Sequence, residues 1–413
     1  MPRFDSRALP VRELRTSGLS ATLTAFFATA VGVMMINVAA AQVLTKPVGM
    51  TLHISSALSG LIATVPQLGY ALGMIFLVPL GDRLESRKLS VIVLLCCAVS
   101  LGVAAIAPSA FVFLVAVGGA GLTSSAIQIL VPAAAALAVP AERGRLLGNI
   151  MSGVMLGILV ARPLASVVAD WWGWRDFYAA LAFVEILLAL GLWRWLPERQ
   201  VSTSSRYRDL LASLWMLWRT EPVLRRHSLS AALGMAVFSA FWTAVALRLS
   251  EAPFVLGGSG IALFALVGVA GAVIAPVAGR FGDRGHTEIG KRWSHATTVV
   301  SWMVAGVAAA GWAGVVLDRT TSLLLLGIAA ILLDAGIVGD QTLGRRAINL
   351  LDPLARSRFN GIFVGTFFVG GGIGALAANA IESMAGWNGV CVFCLSLSVV
   401  SLLWGMYTKT AEA

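Results

Sequence analysis

Few residues of this chain could do chemistry, and those few sit in apolar surroundings. Asp334 lies within Ser322–Gly339, SLLLLGIAAILLDAGIVG, where everything else is apolar or small. A charged Asp at a bilayer centre costs about 2.5–3.5 kcal/mol on insertion scales, so it needs a partner, water or a proton. An acid in that position is by default a candidate coupling or substrate group. It precedes Arg345 by 11 residues, which at about 1.5 Å per residue sets it near the midplane of a hydrocarbon layer about 30 Å thick. The alternative is an Asp permanently paired within its own group of helices. Arg248 is the nearby unassigned cation, but it lies close to the outer surface. Asp340, nearer the inner edge, is expected to be solvated.

Arg162 and Glu185 form a second candidate. Arg162 lies eight residues before Asp170 and Glu185 eight after Phe177, so both reach a similar depth across a short connection, about 12 Å from the outer edge. Either they pair, which lowers the cost of burying both, or Arg162 faces a cavity and binds an anion. Gln42, Gln67, Tyr70, Gln128, Trp242 and Asn379 are polar or amphipathic groups inside apolar stretches. A mostly apolar cavity with a few such groups is how small-molecule sites are built. Gln128, close to Pro132, has the alternative of bonding a carbonyl that the proline frees. His53, His227, His286 and His295 fall in loops or near segment ends, which argues against a histidine proton relay. There is no P-loop G-x-x-x-x-G-K-[ST], metal-ligand cluster or G-x-S-x-G elbow in the sequence. The expectation is therefore no ATP engine, no metal, no cofactor and no enzymatic activity. Cys96, Cys97, Cys391 and Cys394 lie in apolar stretches and are read as small buried residues with no disulfide framework.

The elements that must position these groups are helices. The chain is 58% hydrophobic and only 12% charged over 413 residues, with 43 glycines, against about 25% charge in a soluble domain. Twelve apolar spans of about 20 residues each fit the length. In the first half they are Leu19–Leu44, Ser56–Leu80, Leu89–Ala107, Ala110–Val139, Leu146–Ala169 and Phe177–Leu196. In the second they are Leu229–Leu249, Gly260–Gly279, Ser294–Val316, Ser322–Thr342, Phe359–Ile381 and Val390–Tyr407. The longest connection, Pro197–Ser228, splits the chain six plus six. The domains are thus residues 1–196, a cytoplasmic linker 197–228 and residues 229–413. Within the linker Tyr207, Leu211, Leu214, Trp215 and Trp218 recur at helical spacing among arginines, as in an amphipathic helix on an anionic lipid leaflet. A partner-binding helix is the alternative.

The net charge of +10 is distributed by loop. With the N-terminus inside, 25 of the 30 Lys and Arg fall on one side, and only Lys46, Arg175 and Arg319 on the other. This is the positive-inside pattern, with both termini cytoplasmic. A nucleic-acid surface would cluster the charge instead. Trp171, Trp172 and Trp174 mark one interface and Trp193, Trp195 and Trp404 the other. Gly81-Asp82-Arg83 ends the second span, and Gly282-Asp283-Arg284 ends the eighth, 201 residues later. Such weak internal symmetry is expected of duplicated transporter halves. Asp82 and Asp283 are expected to start the next helices, where a carboxylate satisfies free N–H groups. Small residues recur every fourth position at Gly153, Gly157, Ala161, Ala165 and Ala169, at Gly271, Ala275 and Gly279, and at Gly370, Gly374 and Ala378. These ladders fit close helix contacts that are either static or able to slide.

These residues resemble the major facilitator superfamily. Gly81–Lys88, GDRLESRK, resembles the family's loop G-x-x-x-D-R-x-G-R-R, with Val78 and Glu85 in place of its glycines. The glycine ladder with Arg162-Pro163 resembles its antiporter motif. Gln67–Gly73, Phe238–Thr243 (FSAFWT), Ala355–Asn360 and Gly370–Gly374 are similar to the bacterial efflux permeases related to arabinose and sugar exporters. The resemblance spans nearly the whole chain. It implies an all-α membrane protein of twelve transmembrane helices in two six-helix bundles, rocking about a central cavity. It also implies a conformational lock in which Asp82 and Arg83, echoed by Asp283 and Arg284, reach the other bundle near Arg358–Asn360. Ala39-Ala40 stands where relatives often carry a Tyr pair, so substrate preference does not carry over. The expectation is a monomeric, proton-coupled exporter of drug-like or metabolite compounds in the bacterial inner membrane. Its partners would be a small-molecule substrate, protons and membrane lipid, with no nucleic acid. A proton-coupled importer of a small polar solute, and a non-transporting receptor or scaffold, are the alternatives.

Overall fold

In the computed structural model, residues 21–55, 58–135, 137, 143–197, 206–314, 317–352 and 355–407 are described. Among them every regular element is helical. This follows from the apolar sequence, because only helices and closed barrels satisfy all backbone groups inside lipid. The first half contains α1 (Ala21–Ala39), α2 (Thr45–Thr51), α3 (Leu61–Phe76), α4 (Ser86–Ala105), α5 (Ala110–Ser124), α6 (Ile127–Ala135), α7 (Arg143–Trp171) and α8 (Trp174–Trp195). A connecting helix, α9 (Tyr207–Thr220), leads to α10 (Pro222–Leu249), α11 (Gly258–Ala265), α12 (Ala270–Asp283), α13 (Thr287–Ala309), α14 (Arg319–Asn349) and α15 (Arg356–Tyr407). Ten stretches among the described residues are long and apolar enough to cross a membrane. One of them is the 52-residue α15, broken where Gly386 takes φ 60 and ψ −166. A residue with a Cβ resists that backbone conformation. The 23-residue α13, more polar, packs along α14 and α15.

Three expected boundaries move. Within the expected span 110–139 the described residues form two helices, since Ser125 and Ala126 make a turn between α5 and α6. The eighth span is interrupted by a 3-10 turn, Leu266–Val269, between α11 and α12. And α10 begins at Pro222, inside the expected linker, so His227 is a buried helical residue rather than a loop one. Pro suits the first helical position because it has no N–H to leave unpaired. From there the backbone hydrogen bonds run on past the point where hydropathy rises.

The capping expectation is also corrected. Asp283 is the last residue of α12, and the helix reverses at Gly285, whose φ is +81. Asp82 closes a 3-10 turn, Val78–Asp82, and its side chain lies outside the described residues. The cap of α4 is Glu85, whose carboxylate accepts from the Arg87 and Lys88 amides at 3.0 and 3.2 Å. At the start of α14, Asp318 accepts from the Thr321 hydroxyl and from the Thr321 and Thr320 amides. Those bonds, the Thr321 hydroxyl first, hold its carboxyl below the usual range.

In the first half α1 packs along α7, α3 along α5, and α4 along α5 and α8. In the second, α10 packs along α15, and α14 along α12 and α13. Contacts between the halves run through α3 with α15 and α7 with α11. The small-residue ladders of α7 and α15 serve packing within each half, whereas an added Cβ at Gly279 of the α12 ladder meets nothing within 4 Å. A Cβ at Gly153 or Gly157 would strike the α1 backbone at Ala28 or Gly32, and one at Gly370 or Gly374 the α10 backbone at Ala232 or Ala236. The same helix pairing thus recurs in both halves, as duplication requires.

Candidate functional site

Asp334 is carried by α14 and faces the interface between the halves. Its carboxylate is buried and lies against Trp242 of α10, whose Nε1 donates to Oδ1 at 3.4 Å. The opposite face of the site comes from α7. Arg162 is 3% exposed, and its guanidinium carbon lies 4.3 Å from the Trp242 ring centroid and 5.3 Å from that of Phe238. Such cation–π packing partly offsets the loss of water around a buried guanidinium. Arg162 Nε donates to Gln42 Oε1 at 3.1 Å, Gln42 Nε2 to Ser239 Oγ at 3.4 Å, and Ser239 Oγ to Gln67 Oε1 at 3.1 Å. A continuous polar chain therefore runs from Asp334 through Trp242, Arg162, Gln42 and Ser239 to Gln67. It crosses between the halves three times, from Trp242 to Arg162, from Gln42 to Ser239 and from Ser239 to Gln67.

The interruption between α11 and α12 makes room for this chain. A Cβ built on Gly268, within the 3-10 turn, would lie 3.2 Å from Asp334 Oδ2 and 3.9 Å from Arg162 Nη1. The two opposite charges thus border one small space, and each acts electrostatically on the other. Among the described residues no direct ion pair closes it. Broken helices near mid-depth mark transporter sites in general, and a 3-10 stretch within a longer helix marks a hinge or strain.

Of the residues singled out in the sequence, Asp334, Arg162, Gln42, Gln67 and Trp242 come together. Ser239, Phe238 and Gly268 complete the site and were not singled out as site residues. Ser239 and Trp242 are three apart on α10, a spacing that puts them on one face. Glu185 is not part of the site. It is fully buried in the first half, where Asn37 Nδ2 donates to its Oε1 at 2.8 Å and Cys97 Sγ lies 3.8 Å away. The expected Arg162–Glu185 pair is thus replaced: equal depth along adjacent helices did not mean a shared face. Tyr70 and Gln128 meet each other and lie near Arg345 and Phe368 on the side of the polar chain nearer the basic helix ends. Asn379 lies towards the other end, accepting from Ser59 Oγ at 3.0 Å across the interface.

Around the expected lock, Arg83 is exposed and Asp283 accepts from Arg346 of α14 at 3.0 Å, within its own half. Arg284 is exposed, and Asn360 bonds Asn349 at 2.7 Å. Asp340 reverses its expectation. It is buried and accepts from Lys291 Nζ at 2.7 Å and His295 Nε2 at 2.9 Å. Lys291 and His295 stand four apart on α13, a same-face spacing that could have signalled the cluster. Trp174, expected at the interface with lipid, is buried and donates to Thr51 at 3.2 Å, whereas Trp171 and Trp172 are exposed.

The model of the Major Facilitator Superfamily matches residues 22–340. The Uncharacterized transporter YgaY of Escherichia coli O157:H7 is 35% identical over 385 residues, covering 93% of this chain and 95% of that one. Among solved structures, a bacterial homolog of the human lysosomal transporter Spinster, inward-facing and occupied, superposes with a TM-score of 0.69 at 13% identity, over 93% of this chain and 96% of the other. The human organic anion transporter MFSD10 does so with a TM-score of 0.58 at 16% identity, over 94% and 100%. The fold is that of a multi-pass membrane transporter. The chain belongs to the Major Facilitator Superfamily, and the receptor or scaffold reading falls away.

Proposed function

We propose that this chain is a proton-coupled secondary transporter that exports drug-like or metabolite compounds by alternating access, with Asp334 as the coupling acid. The observation that carries this is the meeting of Asp334 and Arg162 from opposite halves around the gap at Gly268. A carboxylate in that position can hold a proton or a cationic group of a substrate, but not both. Exchange then needs no separate coupling device. Arg162, Gln42, Gln67, Trp242 and Ser239 form the lining that binds substrate, while Tyr70, Gln128 and Asn379 belong to its two entrances.

In this reading the protein is a monomer of twelve spans in two six-helix bundles, 1–196 and 229–413. The break at Gly386 and the more polar α13 supply the two spans beyond the ten apolar stretches. The termini and the 197–228 linker are cytoplasmic, as the loop charges require. Asp82 and Arg83, with Asp283 and Arg284, form the inner lock in a conformation other than this one. Inward transport of a polar solute is the second reading, favoured by the amide-rich chain of Gln42 and Gln67.

The test is transport by purified protein in proteoliposomes under an imposed pH gradient. Substrate extrusion driven by proton entry supports export, and co-entry supports import. Movement indifferent to the gradient excludes proton coupling.

A further inference from the structure

A second polar cluster lies outside the central site, in the second half alone. Asp340 follows Asp334 by six residues on α14, about 9 Å nearer the basic helix ends at 1.5 Å per residue. Its Oδ1 receives Lys291 Nζ and His295 Nε2, and Ser230 Oγ of α10 lies 3.1 and 3.2 Å from its two oxygens. Lys291 also donates to Ser230 at 3.3 Å. The side chains of Lys291, His295 and Asp340 are all 4–6% exposed.

The hydrogen bonds fix the state of the imidazole. An ionised carboxylate only accepts, so His295 Nε2 carries a hydrogen. Lys291 already balances Asp340. The remaining nitrogen, Nδ1, is buried and has no hydrogen-bond partner. It faces the backbone of α15 at Gly405, where an added Cβ would lie 3.1 Å from it. Other groups facing the cluster are His227 of α10, itself buried with an unpartnered Nδ1, and Arg226, which is paired to Glu288 of α13 at 2.6 Å. From α15 come Ser398 and Ser401, which with Thr298 border a small void beside His295 and Asp340. An extra proton on Nδ1 would create a net positive charge with no acceptor in reach, so long as α15 stays in place.

We propose that His295 Nδ1 is a proton-binding site of the second half, separate from Asp334, and that its protonation favours a conformation in which α15 withdraws from α13. The step is a simple transfer. A hydronium ion gives its proton to the Nδ1 lone pair: one O–H bond breaks, one N–H bond forms, a neutral water is released, the ring becomes an imidazolium, and water admitted by the opening accepts from the new N–H. The inference does not depend on the role of Asp334, since it concerns the substrate-free protein.

The experiment uses full-length protein in lipid nanodiscs without substrate. Imidazole nitrogen NMR of histidine-labelled protein follows protonation, and paired spin labels at Ile289→Cys and Val400→Cys follow the α13–α15 separation. The expected result is that the His295 ring gains a second N–H as the pH is lowered, with the label distance lengthening in step. His295→Gln keeps an N–H for Asp340 but lacks a basic nitrogen, so it should lose the distance response. Asp334→Asn should retain both. A His295 ring that never changes protonation while the distance moves overturns the proposal. So does a pH response undiminished in His295→Gln, or one abolished by Asp334→Asn. The wild-type NMR titration decides the matter even if the Gln variant folds poorly.

Discussion

Asp334 and Arg162 are the two charges that the central site contributes, one from each half, and each is the other's charged neighbour. Asp334→Asn keeps size and hydrogen bonding but cannot exchange a proton. It should abolish substrate accumulation against a gradient while leaving expression, and downhill exchange, near the wild-type level. Accumulation at the wild-type level with unchanged pH dependence would make Asp334 a structural acid only. Arg162→Gln and Asp334→Asn should couple in a double-mutant cycle by about 0.5–3 kcal/mol, as neighbouring charges do. Arg162→Gln and Glu185→Gln should be additive within about 0.5 kcal/mol, because Glu185 touches Asn37 and Cys97 instead. Transition midpoints in detergent, measured for singles and doubles, check both. Asp334 was legible in the sequence because nothing around it could solvate a charge. The partner of Arg162 was not, because depth can be counted along a helix but rotation about its axis depends on neighbours that sequence does not name. Asp340 shows the same limit: its depth suggested water, while α10 and α13 supply Ser230, Lys291 and His295.

At the scale of elements, glycines divide into those that hold a half together and those at the interface. Gly157 and Gly374 let helices of one half touch backbone to backbone, whereas Gly60 faces α15 across the interface, with an added Cβ 2.9 Å from Ala375 O and 3.0 Å from Leu376 Cα. Gly157→Val and Gly374→Val should therefore lower yield and thermal midpoint sharply. Gly60→Val should fold and instead favour separation of α3 from α15 at that end, read as faster maleimide labelling of a cysteine at Ser59. Slow labelling together with a wild-type midpoint would show that the contact yields without opening. The span pattern and the ladders were legible because apolar runs and four-residue spacing are local. The 3-10 break at Leu266–Val269 was not, since the groups it lies against, Asp334 and Arg162, come from other helices. The linker helix was legible as amphipathic, but its role was half seen. Leu214 is buried against the protein and Tyr207 donates to Phe76 O at 2.6 Å, while Trp215 and Met216 remain exposed for lipid.

For the whole molecule, both ends of the interface are closed at once. At the end bearing Lys46, that residue donates to Ser250 at 3.0 Å, Ser59 to Asn379 at 3.0 Å, and Thr64 to Gly372 O at 2.8 Å. At the basic end one apolar cluster joins the halves through Met74, Ile129, Leu130, Phe359 and Phe363. The central site is sealed between them, its side chains nearly inaccessible. Transport by alternating access requires each seal to break in turn. The few hydrogen bonds of the Lys46 end compete with water when exposed, and each is worth about 0.5–1.5 kcal/mol. The apolar seal has to expose its residues to open. Ser59→Cys with Asn379→Cys places two thiols where side chains already meet across the interface. Oxidation should stop transport completely, and a reductant should restore it, with each single variant unaffected by either treatment. The native thiols do not confuse the result, because Cys97, Cys391 and Cys394 are buried and the singles report on Cys96. Transport that continues at the uncrosslinked rate with the disulfide formed would mean that the halves never part at this end, and alternating access through the Asp334 site would have to be abandoned.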